Sequence, residues 1–204
     1  MPRINRHAVI DSPASHIVLM ETLIQENPDL NKGEIGTILA NLPTNTGEVL
    51  LDFRPTVISE KAPPQVTLPL EFIRKLADFS KTNKVKSGLI LAGSTQYHSF
   101  EHELASVLPL LDVVVIDFAG FRDGRGYSLA QEIRQHANFT QKTVLRVMGD
   151  ILPDTLELLV KVGFEEFDIE NPSFNENWFN WFESIKTPYD GRSVKQLPMF
   201  AGVG

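Results

Sequence analysis

The chain has 204 residues, a formal net charge of −7 and no cysteine. That length fits one ordinary domain, and 42% hydrophobic with 22% charged residues is the balance of a globular chain. Without cysteine there is no disulfide framework, thiolate nucleophile, redox dithiol or cysteine-ligated metal or iron–sulfur site. No apolar run is long enough for a membrane span, and MPRINRHAVIDSP has early positive charge without the apolar core of a signal peptide. A cytoplasmic protein is the expectation. The acidic balance argues against general nucleic-acid binding.

In chain order, Asp11-Ser12-Pro13 reads as a helix start, because a short polar side chain caps free N–H groups and proline tolerates the first turn. Ile17, Met20 and Ile24 recur at helical spacing until Asn27-Pro28. EIGTILANLPTNTGEVLLDF then presents two apolar runs around a polar turn with Thr46-Gly47, which predicts a β-hairpin or a pair of edge strands. Ala62-Pro63-Pro64 reads as a joint, since Pro-Pro is extended. The expected division is therefore an N-terminal helix-and-hairpin extension over 1–62 and an α/β domain over 63–204.

From Ser87 on, short runs of branched aliphatics alternate with helical patterns. SGLILA (87–92), VVVIDF (113–118), TVLRVM (143–148) and EFDI (166–169) are the predicted strands. Helical stretches lie over 99–108, around the Leu129, Ala130, Ile133 and Ala137 stripe, and around Leu156, Leu159 and Val160, with Gly163 as a stop. This pattern predicts an α/β fold: a mostly parallel sheet with flanking helices over 65–185. An open sheet is expected, because four βα units are too few for an eightfold barrel. A last helix opens at Asn171-Pro172 and carries Phe174, Trp178, Trp181, Phe182 and Ile185 on one side. Aromatic burial explains that stripe without a ligand. An irregular tail follows, with Tyr189 and Phe200 as anchors.

The sharpest local feature is Phe121-Arg122-Asp123-Gly124-Arg125-Gly126-Tyr127-Ser128, directly after VVVIDF. Loops at the C-terminal ends of parallel strands are where ligands bind. Two glycines permit close backbone approach, a helix beginning near Tyr127 offers free N–H groups, and Arg122 and Arg125 are shaped for an oxyanion. Ser128 is placed to cap the helix or touch the anion. The alternative is a tight strand–helix turn in which Asp123 pairs with a nearby arginine. A dinucleotide fingerprint is not met, since Leu129 stands where the third small residue belongs. Arg146, inside an otherwise apolar strand, needs a partner or a ligand. Either Asp123, Arg125, Arg146 and Asp150 converge at one edge, or Arg146 pairs with Asp117 or Asp123 while Asp150 caps the helix containing Pro153.

His98-Ser99-Phe100-Glu101-His102 spells H-x-x-E-H, a metallopeptidase signature. Ser99 is the better helix cap, which leaves His98 outside the helix and spoils the zinc geometry. No metal site is therefore expected, and no cofactor is evident from the sequence. His7, His16 and His136 show no useful pairing.

The runs VVVIDFAGFRDGRGYSLAQEIR and VLRVMGDILPDTLELLVKVGFEEFDI, followed by Tyr189 and LPMF (197–200), resemble the bacterial domain-of-unknown-function family 934. Its D-G-R-G-aromatic-S loop is matched by Asp123 to Ser128, its L-R-x-x-G-D step by Leu145, Arg146, Gly149 and Asp150, and its G-F-x-x-F element by Gly163, Phe164 and Phe167. The resemblance covers roughly 65–200. Ala119-Gly120, Arg122 and Pro153-Asp154-Thr155 depart from the family pattern. The resemblance implies a role in assimilatory sulfite reduction, since family members carry that oxidoreductase label and their genes adjoin those of sulfite reductase. It names no catalytic residue. Sulfite reductase or another sulfur-assimilation enzyme is then the expected partner, with a small anion as ligand. A cofactor-dependent oxidoreductase, a phosphate-ester enzyme using Asp123 or Asp150, and a non-catalytic interaction module built on the aromatic helix are the competing readings.

Charge is uneven. Residues 150–190 hold ten carboxylates and two lysines, while 117–146 hold five basic residues against three acidic ones. A basic strand-end region thus adjoins an acidic C-terminal portion.

Overall fold

The computed structural model describes residues 2–10, 14–26, 32–42, 46–55, 66–120 and 124–183. The four predicted strands form as β5 (Lys86–Ala92), β6 (Val113–Phe118), β7 (Val144–Gly149) and β8 (Glu166–Ile169). Each pairs in parallel with the next, so each connection must cross over. The crossovers carry α4 (Glu101–Val107), α5 (Arg125–Gln135) and α6 (Leu156–Val162). Gly163 stops α6 at φ 119°, where its N–H donates to the Leu159 and Val160 carbonyls.

The N-terminal third differs from expectation. β1 (Arg3–Asn5) and β2 (Val9–Ile10) form a short antiparallel ribbon. The helix expected after residue 12 begins later, as α1 (Met20–Glu26), behind a strand, β3 (Ser15–Leu19). Asp11-Ser12-Pro13 and Asn27-Pro28 lie outside the described residues. The expected hairpin is replaced by α2 (Lys32–Ala40) and β4 (Glu48–Asp52). β4 pairs in parallel with both β3 and β5, and a parallel β3–β4 pair cannot be closed by a tight turn. α1 and α2 supply that crossover. α3 (Leu70–Asn83), unanticipated in the sequence, precedes β5 and buries Phe72, Ile73, Leu76, Ala77 and Ser80.

All eight strands join one sheet in the order β2-β1-β8-β7-β6-β5-β4-β3. Strands from both sides of residue 62 therefore pair directly, β4 with β5. The edges β2 and β3 are consecutive in the chain and joined only by residues 11–14, so they stand within about 17 Å of each other. The sheet is accordingly curled rather than open, with the strands in ring order.

Strand alternation sorts side chains between the two faces. Val49, Leu51, Leu89, Leu91, Val114, Ile116, Leu145, Val147 and Phe167 point to the helices and form the main core. The concave face carries a small apolar cluster of Leu50, Ile90, Val113 and Val115, and beside it buried charge: Arg3, Glu48 and Arg146. The aromatic segment after β8 is a 3-10 helix, Glu176–Glu183, that buries Trp178 and Phe182 and leaves Trp181 exposed. Ala62-Pro63-Pro64, Ile185, Tyr189 and Phe200 lie outside the described residues.

Candidate functional site

The loop after β6 leads into α5 with Gly124 at the cap position, φ −68°, and no side-chain hydrogen bond from that position. Gly124 is thus in ordinary helical backbone and an added Cβ would meet nothing within 4 Å. Gly126 is the demanding glycine. A Cβ there would lie 2.5 Å from the Phe118 ring, so the glycine lets α5 press against the end of β6. Its Cα is also close to Gly93, whose N–H donates to the Asp117 carbonyl at 2.8 Å. Tyr127 stands edge-on to Phe118 with ring centroids 5.0 Å apart. Burial pushes its hydroxyl above the usual phenol range, a hydrogen bond with Thr155 counters this, and Asp154 adds to the rise. Arg125 and Ser128 are exposed on the first turn of α5. Arg122 and Asp123 lie outside the described residues.

Arg146 does not join this loop. It is fully buried on the concave face, its Nη1 and Nη2 donating to the two oxygens of Glu48 at 2.9 and 3.0 Å. Its Nε donates to Glu166 at 2.7 Å. The ion-pair expectation holds in kind, but among the described residues the partners are Glu48 and Glu166, with Asp168 at 4.0 Å, rather than Asp117. Glu48 is the first residue of β4, at the opposite end of the strands from Arg125. Arg3 completes the group, donating to Glu48 at 2.9 Å and to Asp168 at 2.6 Å. Burial alone would raise the Glu48 carboxyl; Arg146, the Ser15 hydroxyl and Arg3 together hold it below the usual range. The Arg3 guanidinium, which burial would weaken, is held above its ordinary value by Asp168 and Glu48.

At the C-terminal ends of the strands the sequence reading missed Arg54 and Asp52. Arg54 grips Asp52 through Nε and Nη2, the latter at 2.6 Å, and reaches across to Asp117 on β6 through Nη1 at 2.8 Å. These bonds, the Asp52 one foremost, outweigh burial and raise the guanidinium pKa. No motif marks Arg54, but a charge two residues beyond a carboxylate closing an apolar strand is the available signal.

Asp117 also lines a pocket of about 400 Å³ over the ends of β6, β7 and β8, together with Asp150, Glu170, Phe118, Ile151 and Asn171. Gly149 forms its floor at φ 101°. A Cβ there would meet the Phe118 carbonyl at 2.3 Å, so only glycine lets β7 pass so near β6. The Asp150 N–H donates to that same carbonyl at 2.8 Å. Asp150 does not cap the next helix, because Leu152 and Thr155 occupy the cap positions of the Pro153–Thr155 turn and α6. Mouth and loop are adjacent through Phe118, which packs Gly126 and Tyr127 on one side and lines the pocket on the other.

His98 lies in a 3-10 turn ahead of α4, with 83% of its side chain exposed, and faces Glu101 at 3.3 Å. Ser99 does not cap α4, since its hydroxyl donates back to the Gln96 carbonyl at 2.7 Å. Among the described residues no group of three metal-ligating side chains assembles, and no helix is long and apolar enough to cross a membrane. Leu129 is buried in the core, where a dinucleotide fold would place a small residue.

Neither the curated proteins nor the solved structures include a match to this chain. The family model for "Bacterial protein of unknown function (DUF934)" matches residues 88–200, from β5 through the strand-end loops and beyond β8. With more than half of its length matched, the chain belongs to the DUF934 family.

Proposed function

We propose that this protein is an accessory factor of assimilatory sulfite reduction that binds a small oxyanion at the first turn of α5. The pathway half of this reading comes from the family resemblance of the loop Asp123–Ser128 and the Leu145–Asp150 step. The observation that carries the ligand half is the start of α5: a glycine cap without a side-chain bond, exposed Arg125 and Ser128, and N–H groups at the positive end of an 11-residue helix. Asp117, which Arg54 holds, lines the neighbouring pocket with Asp150 and Glu170, so among the described residues the exposed cation nearest the α5 turn is Arg125 on the helix itself.

Calorimetry with sulfite, sulfate and phosphate tests the ligand, with Arg125→Ala weakening binding about tenfold as one lost charge-assisted contact would. No heat with any of the three removes the anion. Deleting the gene tests the pathway: unchanged growth on sulfate as sole sulfur source removes that half.

The carboxylate-lined pocket favours a second reading, a phosphate-ester enzyme with Asp150 as general acid or base beside the anion-holding turn. Release of phosphate from model esters, lost in Asp150→Asn, is its signature. A redox enzyme would instead show a thermal shift with flavin or nicotinamide.

A further inference from the structure

Two arginines cross the concave interior of the sheet. Arg146 runs from β7 to Glu48 on β4. Arg3 runs from β1 to the same carboxylate, touches Ser15 on β3 at 3.4 Å, and holds Asp168 on its neighbour β8. Arg3 thus ties both sides of the curl, β8 and β3–β4, to one short ribbon.

Among the described residues the rest of that ribbon has a short ladder and little apolar burial. β1 pairs with β8 over three residues and with β2 over two. Ile4 is its single fully buried apolar side chain, while Val9 is 55% exposed and the turn through Arg6, His7 and Ala8 faces solvent. Beyond the ladder, the Ile169 N–H donates to the Pro2 carbonyl at 3.0 Å. By contrast β6 and β7 are flanked by parallel strands on both sides and buried on both faces. An element with one apolar anchor and few ladder bonds opens at lower free energy than the strands it covers.

We infer that the β1–β2 ribbon is a detachable strap, with Arg3 as its latch, whose release opens the curled sheet between β8 and β3 and admits solvent to the interior around Glu48 and Arg146. Among the described residues Arg3 and Arg146 are the cations facing Glu48, Glu166 and Asp168, so release of Arg3 leaves these three carboxylates facing Arg146 and favours redocking of a guanidinium. The device is independent of any ligand at α5.

Native-state hydrogen exchange on the full chain tests it. The β1 amides and the Ile169 amide exchange at least about tenfold faster than those of β6 and β7, and Arg3→Gln widens the gap by a further factor of about ten. Equal exchange in strap and central strands overturns the strap, as does acceleration of all strands alike by Arg3→Gln. The absence of native cysteine supplies a readout that does not need that variant. A thiol introduced by Ile4→Cys is labelled at least about tenfold faster than one introduced by Val115→Cys in the central interior. Equal labelling overturns the proposal.

Discussion

Arg146 shows how one residue can be read correctly in kind and placed wrongly. A charge inside VLRVM demands a partner, and Arg146 hydrogen-bonds two glutamates, with Asp168 at 4.0 Å beside them. Breaking a buried pair leaves the other charge uncompensated, so Arg146→Gln lowers stability by about 3–5 kcal/mol in urea denaturation. Glu48 makes the same network pH-sensitive. Its folded pKa is depressed, so its contribution is complete above the ordinary carboxyl value of 4.5 and is lost as pH falls through the folded value. The melting temperature of the wild type therefore drops more steeply below about pH 4.5 than that of Glu48→Gln. Parallel curves would dismiss the assignment. Gly126 is the clearest case of a glycine required by contact: Gly126→Ala drives a methyl into Phe118 and costs about 1–3 kcal/mol, read by the same denaturation. Gly124→Ala, with open space around it, leaves that packing unchanged.

Among elements, strands buried on both faces were the most legible. SGLILA, VVVIDF and TVLRVM are largely apolar runs because helices cover one side and the curl closes over the other, whereas EFDI alternates, with Phe167 and Ile169 in the core and Glu166 and Asp168 facing the arginines. α3 escaped notice for want of punctuation. Pro69 at its start offers no side-chain cap, and its end uses Lys84 in the left-handed region at φ 57° instead of glycine. Lys84→Gly relieves that conformation and raises stability by up to about 1 kcal/mol in thermal melts; a loss would contradict the assigned helix end. SHIVL read as helix because a five-residue run fits either period. It is a strand because the open edge of β4 accepts it in register, Ser15 to Glu48 through Leu19 to Asp52. Trp178→Ala costs about 3–5 kcal/mol as a core deletion, and Trp181→Ala, at a position 43% exposed, costs less than that.

At the scale of the molecule, the expected boundary at residue 62 falls between strands that pair with each other. A fragment spanning 63–204 lacks β4, and with it Glu48, so β5 gains an unpaired edge and Arg146 loses its bidentate partner. Such a fragment shows no cooperative unfolding transition by circular dichroism; a sharp transition would establish it as an independent unit. The family match beginning at Gly88 covers the strand-end loops but not the residues that complete the interior, Arg3, Ser15 and Glu48, nor Arg54 at the mouth.

The alternating βα pattern, the absence of thiol chemistry and the glycine-rich turn after VVVIDF were fixed by composition and local periodicity, which act over a few residues and need no partner. Ring order, the partners of Arg146, the strand identity of SHIVL and the position of Arg54 opposite Asp117 depend on which distant segments meet. Glu48 and Arg146 are separated by 98 positions, and Arg3 and Asp168 by 165. A charge pair at such distances has no periodicity to betray it, because only the curl of the sheet brings its members to one interior.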